Sequence, residues 1–290
     1  MNQFGIILLV LAVTSCGTRG PLALDAAPDS ATIDGAVTRD GAVVRRDRGR
    51  QVYQGRVSLG EGMDPRVNMP GWVVAQVGFA TAFYESMFAA TETHGECQVG
   101  QMLPPPPAVT VFLDAGPVKV TGGVKPMTFT YSAVDYYDTD LADHTYSLFQ
   151  AGQTLQVAGA GSTELPAFSA AIPAPMPLKV ITPSMFEMST VVDASQDYAV
   201  TWDPASADLV RFEIRCSGPN HPEMRAVCES PDDGQILVQA PVLKTMMTAC
   251  SFSMAAAVDI SRVNRRDVAH GNLGVRVEAW TLLRGNITLK

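Results

Sequence analysis

An all-β fold follows from three features of this 290-residue sequence. Charged residues make up only 17% of it against 47% hydrophobic; Val, Thr, Ala, Gly and Pro are plentiful; and beyond Tyr53 short apolar runs are punctuated by Gly, Pro, Asn and Asp at fairly regular spacing. A chain of this length carries one large or two ordinary domains with true cores. The expected architecture is one or two antiparallel β-sandwich units, the second immunoglobulin-like, after a signal peptide and a disordered linker.

Phe4 to Val13 form a continuous apolar run, too short to span a bilayer as a helix and the right size for the core of a signal peptide. The following Val13-Thr14-Ser15-Cys16-Gly17 resembles the lipobox of bacterial lipoprotein signals, in which small residues precede a cysteine that is lipidated and becomes the new N-terminus. The resemblance implies a signal peptide over 1–15, acylation of Cys16, and the lipid bilayer as a partner through it. Several acyl chains, at about 0.8 kcal/mol per buried methylene, anchor far better than one. Gly17 after the cysteine is similar to lipoproteins released toward the outer membrane, so the implied location is the bacterial cell envelope, outer membrane ahead of inner. A plain secretory signal cleaved near the same place, with Cys16 incidental, is the alternative.

Residues 16–52 read as lipidated cysteine and linker. From Gly17 to Val52 there is no aromatic residue, and Asp, Ala, Gly, Pro and Arg dominate, so the segment cannot bury enough surface to offset its conformational entropy. Asp34-Gly35-Ala36-Val37 recurs as Asp40-Gly41-Ala42-Val43 before the cluster Arg45-Arg46-Asp47-Arg48-Gly49-Arg50. Such a near-repeat marks low complexity, and the basic cluster is a solvated spacer before it is a lipid-headgroup contact.

The β body divides into 53–175 and 176–290, the break falling at Ile172-Pro173-Ala174-Pro175-Met176-Pro177. Strands are expected at 72–79, 81–84, 109–113, 117–121, 128–131, 154–158, 167–172, 178–182, 198–202, 209–216, 224–229, 235–238, 251–259, 275–282 and 286–289. Between Val73 and Phe88 apolar residues also fall at helical spacing. Pro104 to Pro107 exclude both helix and central strand and serve as a spacer or fixed crossover. Trp202 alternates inward with Tyr198 and Val200, which predicts a core role ahead of an exposed, sugar-stacking one.

With Cys16 acylated, Cys97, Cys216, Cys228 and Cys250 remain, an even number that an oxidising compartment would join in one of three pairings. Cys216 with Cys228 is favoured slightly, because the two flank a short loop between neighbouring strands. Zinc is disfavoured by the lack of a Cys-x-x-Cys pair. The acidic stretch containing Asp135, Asp138, Asp140 and Asp143 is the one weak calcium candidate, since closely spaced carboxylates on a loop suit a hard cation; a solvated acidic loop is its plainer reading. No other cofactor is indicated. His94, His144, His221 and His270 are scattered without partners at ligand spacing, and no nucleophile elbow, zinc helix, Walker loop or dinucleotide fingerprint is present. The formal net charge is −8, and because residues 1–50 hold six Arg against five Asp, the remainder carries −9. An acidic body repels phosphate backbones, so nucleic acid is excluded as a partner.

Five stretches together resemble a group of uncharacterised myxobacterial-type bacterial lipoproteins with an Asp/Ala-rich tether and a repetitive β body. They are Gly95-Glu96-Cys97-Gln98-Val99, the run from Asp114 to Gly123, the run from Leu148 to Leu155, Leu165-Pro166-Ala167-Phe168-Ser169 and Tyr198-Ala199-Val200-Thr201-Trp202. The likeness covers roughly residues 71 to 245 and rests on turn and strand grammar more than on chemistry. The group carries a second cysteine some residues before the position of Cys97, absent here, and implies no known activity. The expected function is that of a membrane-anchored envelope lipoprotein whose non-enzymatic β body binds an envelope protein or glycan or fills a surface-structural role. Its rivals are an envelope hydrolase with a site assembled only in three dimensions, and a carbohydrate-binding sandwich with Trp72, Trp202 or Trp280 aligned on one exposed face.

Overall fold

Apolar and polar residues alternating at period two give each strand one face to bury and one to leave in water. Thr154–Gly159, for example, buries Leu155 and Val157 and exposes the residues between them. The structure is a computed structural model, and it describes residues 45–47, 50–63, 72–84, 88–102, 112–132, 136–138, 147–182, 190–218, 221–250, 255–270 and 273–290. The chain divides into two units, Met1–Gly35 and Ala36–Lys290, and every described residue belongs to the second.

Its first strands are β1 (Arg45–Asp47), β2 (Arg50–Met63), β3 (Trp72–Tyr84), β4 (Phe88–His94), β5 (Cys97–Met102), β6 (Val118–Thr121), β7 (Met127–Ser132) and β8 (Tyr136–Asp138). Next come β9 (Thr154–Gly159), β10 (Phe168–Pro173), β11 (Val180–Thr182), β12 (Val191–Val192), β13 (Tyr198–Trp202) and β14 (Leu209–Gly218). The chain closes with β15 (His221–Ser230), β16 (Gln235–Val238), the helix α1 (Ala240–Ala249), β17 (Ala256–His270) and β18 (Leu273–Leu289).

A ten-stranded sheet runs β1-β2-β18-β17-β14-β15-β5-β4, with β3 on the other side of β2 and β12 beside the end of β18. One face of it is covered twice. Over one half lies a five-stranded sheet, β10-β9-β6-β7-β8, and Val57, Leu59, Phe79, Val275 and Val277 of the large sheet share a core with Val118, Val120, Phe129, Leu155, Val157 and Ile172. Over the other half lie the three-stranded sheet β11-β13-β16 and α1. There Val99, Phe212, Ile214, Val258 and Ile260 pack with Val200, Trp202, Ile236, Val242, Leu243 and Met246. Trp202 is 1% exposed, a core residue as expected. The opposite face of the large sheet carries no second layer among the described residues.

Among the described residues the fold is all-β apart from one short helix, and several expectations need correction. Residues from both sides of 175/176 enter each core, Val99 lying in the second and Val275 and Val277 in the first, and both halves contribute strands to the large sheet. Pairing is not wholly antiparallel: β2 lies parallel to β18, Val275 opposite Gly55 through Leu283 opposite Met63, and β12 is also parallel to β18. The segments 72–79 and 81–84 are one strand, as are 275–282 and 286–289, and β17 extends through a charged stretch to His270. Phe112, from the strand expected at 109–113, makes a single bridge to Ala80; 109–111 lie outside the described residues. The linker ends earlier than residue 52, since Arg45 pairs with Val52 across a short hairpin. Helix α1 begins with Pro241 in its first turn, and its entry is held not by a local capping residue but by Asp197 Oδ1, which accepts from Ala240 N at 2.8 Å.

Both disulfides tie the large sheet together or to its cover. Cys97 and Cys228 are directly opposite partners on β5 and β15, their Cα atoms 3.9 Å apart, and Cys216 of β14 bonds Cys250 after α1. The favoured Cys216–Cys228 pairing fails on register. Across the β14–β15 hairpin Cys216 faces Met224 and Cys228 faces Phe212, so the two cysteines that flank the loop are several residues out of step.

A buried ion pair fastens the Pro-rich crossover between the cores. Arg262 and Asp232 have side chains 2% and 1% exposed and approach to 2.9 Å. Asp232 also accepts from Trp202 Nε1 at 2.9 Å and Ala207 N at 3.2 Å, while Arg262 donates to the carbonyls of Met176, Pro177 and Asp203. Asn264 Nδ2 donates to Pro173 O at 2.8 Å and Thr281 Oγ1 to Met176 O at 3.1 Å. At the other end of the sheet Glu61 Oε1 accepts from Ser147 Oγ and from the backbone of Leu148 and Phe149.

Asp232→Ala leaves the Arg262 guanidinium buried without its counter-ion and is expected to destabilise the protein by about 3–5 kcal/mol in denaturant melts; a loss under about 1 kcal/mol would refute the role given to the pair. Non-reducing peptide mapping should return Cys97–Cys228 and Cys216–Cys250. By loop length the two contribute about 5 and about 4 kcal/mol, since sequence separations of 131 and 34 are closed. A recovered Cys216–Cys228 peptide would contradict the register.

Candidate functional site

The face of the large sheet turned away from the two cores gathers the charged and aromatic residues that alternate with the core positions of β2, β3, β14, β15, β17 and β18. Its floor is built around glycines. Trp280 on β18 stands opposite Gly60, and Trp72 on β3 stands opposite Gly62, on either side of β2. Each indole lies over its glycine: a Cβ at Gly60 would sit 2.1 Å from the Trp280 ring, and one at Gly62 2.3 Å from that of Trp72. The two rings meet with centroids 5.7 Å apart and planes tilted by 60°, an arrangement aromatic quadrupoles favour. Trp280 Nε1 donates to Ser58 Oγ at 3.0 Å, and the Arg284 guanidinium stands 5.5 Å from the Trp72 centroid, within cation–π range.

Around this pair runs a ladder of cross-strand ion pairs. Arg284 Nε reaches Asp259 Oδ1 at 2.8 Å, and Arg215 Nη2 reaches Asp259 Oδ2 at 2.8 Å. Glu278 is held by Arg56 at 2.7 Å and Arg265 at 3.0 Å, Glu213 by Arg225 at 3.1 Å, and Glu229 by Arg211 at 2.6 Å. Acids and bases do not lie at the same depth. The side chains of Glu278, Asp259 and Glu213 are 3%, 12% and 16% exposed, whereas those of Arg56, Arg284 and Arg215 are 37%, 34% and 28% exposed. Across β2, β18, β17 and β14, solvent therefore meets guanidinium above and carboxylate beneath. The order reverses in the Arg276–Asp267 pair, whose arginine is the buried member, and Glu229 of β15 is itself exposed.

The depth of these carboxylates shows in their titration. Burial alone would raise the Glu278 carboxyl, but the guanidiniums of Arg56, Arg211, Arg265 and Arg276 outweigh it and hold the group at about 2. Burial holds Glu213 above the ordinary range, with the neighbouring Asp259 adding to the rise and Arg225 and Arg215 opposing it.

Of the residues singled out in the sequence, Trp72 and Trp280 come together here, and Trp202 does not, being in the second core. Cys97, Cys216, Cys228 and Cys250 are all in disulfides. Cys16 lies outside the described residues, as do Asp135, Asp140 and Asp143; Asp138 ends β8. Among the described residues no group of three or more His, Cys, Asp or Glu is placed to hold a metal ion. His94 pairs with Glu92 at 3.2 Å, His221 and His270 fall at strand ends, and His144 lies outside the described residues. Sequence reasoning missed Arg56, Arg215, Asp259, Glu278 and Arg284. Their signal was the same period of two that marks apolar faces, as in Arg211-x-Glu213-x-Arg215 and Glu278-x-Trp280-x-Leu282-x-Arg284.

No protein-family model and no curated protein matches the chain.

The folded Glu278 value of about 2 lies below the 4.5 of an ordinary glutamate, so its contribution is whole above about pH 4.5 and is lost as pH falls through that value toward 2. A shift of this size corresponds to about 3 kcal/mol. Denaturant melts of Glu278→Gln should accordingly show an acid-side decline shallower than wild type by about that amount; an unchanged decline would mean that Glu278 is not the group titrating.

Proposed function

We propose that the protein is a non-enzymatic binding module of the bacterial cell envelope, anchored through acylated Cys16 and presenting the Trp72- and Trp280-bearing face of its ten-stranded sheet to an envelope protein or glycan. The observation that carries this reading is the Trp72–Trp280 pair, set among outward-facing guanidiniums on a face with no covering layer among the described residues. Two disulfides support an oxidising compartment, and the lipobox-like Val13-Thr14-Ser15-Cys16-Gly17 supports attachment to a membrane, the outer ahead of the inner. On this reading the body is a pair of β-sandwich units sharing one large sheet, the second of immunoglobulin-like size.

The rival reading, an envelope hydrolase, draws on Glu213 and Asp259. The two are directly opposite on β14 and β17, and burial raises the first above the ordinary carboxylate range. A glycosidase-like pair of carboxylates requires such unequal neighbours. Here, however, Asp259 is clamped between two guanidiniums and Glu213 is engaged by Arg225, which favours a structural ladder over a proton-transfer pair.

Cys16→Ser should abolish labelling of the full chain by radioactive palmitate in the producing cell and leave the precursor uncleaved. Labelling that persists in the variant would overturn the anchor.

A further inference from the structure

We propose that helix α1 is a redox-released cover: a dithiol reduces Cys216–Cys250 first, the helix then leaves the sheet, and only that departure opens Cys97–Cys228 to reduction. Nothing in this depends on which face of the sheet meets a partner. Cys97 and Cys228 are each 0% exposed and belong to the second core, opposite one another on β5 and β15. Helix α1 packs against these same two strands and buries Val242, Leu243 and Met246 there. Its course over them is fixed at three points. At the entry, Gln239 stands over the β4–β5 turn just before Cys97, its Nε2 3.1 Å from where a Cβ on Gly95 would lie. Along its length, Thr245 Oγ1 donates to Glu92 Oε2 on β4 at 3.1 Å. At the exit, Cys250 is bonded to Cys216 of β14. A reductant therefore meets the helix before it meets Cys97–Cys228.

The order follows from what holds the helix. A helix of 10 residues is marginal by itself in water. This one has no side-chain cap at its start, no acidic residue in its first turn and no basic residue in its last, so nothing in it complements its own dipole. Its hold on the sheet combines the three buried apolar side chains, the hydrogen bond from Ala240 N to Asp197, the Thr245–Glu92 contact and a covalent latch at the end that frays. That latch is also the more accessible disulfide. Cys250 is the C-cap residue, Cys216 lies near the tip of the β14–β15 hairpin, and both are 6% exposed. The chemistry is thiol–disulfide exchange. One thiolate of the dithiol attacks a sulfur of Cys216–Cys250, breaking that bond, forming a mixed disulfide and freeing the other cysteine. The second thiol then displaces the bound cysteine and closes the reductant's own disulfide, so two electrons and two protons pass from the dithiol to Cys216 and Cys250. With the latch open, α1 unravels from its last turn, and a second dithiol repeats the exchange at Cys97–Cys228.

The test treats the full chain, purified in detergent with both disulfides formed, with dithiothreitol, quenches samples over time with iodoacetamide and maps the alkylated cysteines by mass spectrometry. The expected intermediate is labelled on Cys216 and Cys250 and retains Cys97–Cys228. Hydrogen exchange of that intermediate should show the amides of α1 losing protection while those of β14 and β17 keep theirs. Cys216→Ser combined with Cys250→Ser should speed reduction of Cys97–Cys228 at least tenfold, the equivalent of about 1.4 kcal/mol in the opening of the helix. Since removing a disulfide also lowers global stability, Asp197→Ala is run beside it with both disulfides intact. Loosening the entry of α1 in this way should speed the second reduction several-fold, as loss of a helix-entry acceptor does, and leave the first unchanged. Labelling of Cys97 and Cys228 ahead of the other pair, or of all four together, would overturn the proposal. An intermediate whose α1 amides stay protected would do the same, as would a Cys97–Cys228 rate indifferent to both variants.

Discussion

The Arg262–Asp232 pair is the joint on which the arrangement of layers depends. A Pro-rich crossover offers carbonyls but few N–H donors, and the passage from the first core to the second runs through Pro173, Pro175 and Pro177. Those carbonyls need donors from the sheet beneath, and Arg262, Asn264 and Thr281 supply them. A buried guanidinium is tolerated only beside a counter-ion, which Asp232 provides while also satisfying the Trp202 indole. One carboxylate thus links the large sheet, its smaller cover and the crossover. The net stabilisation from such a pair is small against a well-packed apolar substitute; what it secures is position.

The outer ladder follows a different logic. Its ion pairs join strands already held by backbone hydrogen bonds, and the guanidiniums around Glu278 keep that carboxylate ionised well into acid despite its burial. At Arg56–Glu278, Arg284–Asp259 and Arg215–Asp259 the acid lies beneath its arginine, so the outer member of each pair is the cation.

Much of the fold was legible from alternation alone, and the bounds of β13 and β16 coincide with the expected 198–202 and 235–238. What escaped did so for identifiable reasons. Strand β2 was hidden because Gly55, Gly60 and Gly62 read as turn signals, whereas each is a seat for an aromatic ring from a neighbouring strand. The second half of β17 was hidden because Arg262, Asn264, Arg265, Arg266 and Asp267 look like a solvated loop until their partners on β14, β18 and the crossover are known. Helix α1 lacks a local cap and is only ten residues long, so its start is written in Asp197, more than forty positions earlier. Of the site, the tryptophans were visible as candidates, but the choice between Trp202 and the other two depended on which face of which strand each occupies. Disulfide pairing was decided by register, which loop length does not encode.

The parallel pairing of β2 with β18 bears on how the molecule comes into being. Arg56 and Glu278 touch across 222 positions, and Val57 and Leu59 complete their core only with Val275, Val277 and Ala279. Until the last strand emerges, β2 and β3 are a hairpin with an apolar face and an unmet edge, the state in which strands find wrong partners. Closing so long a loop costs entropy before any contact rewards it. The first core therefore waits on β18: β2 and β3 gain their partners on that face only when a strand more than two hundred positions away docks beside them.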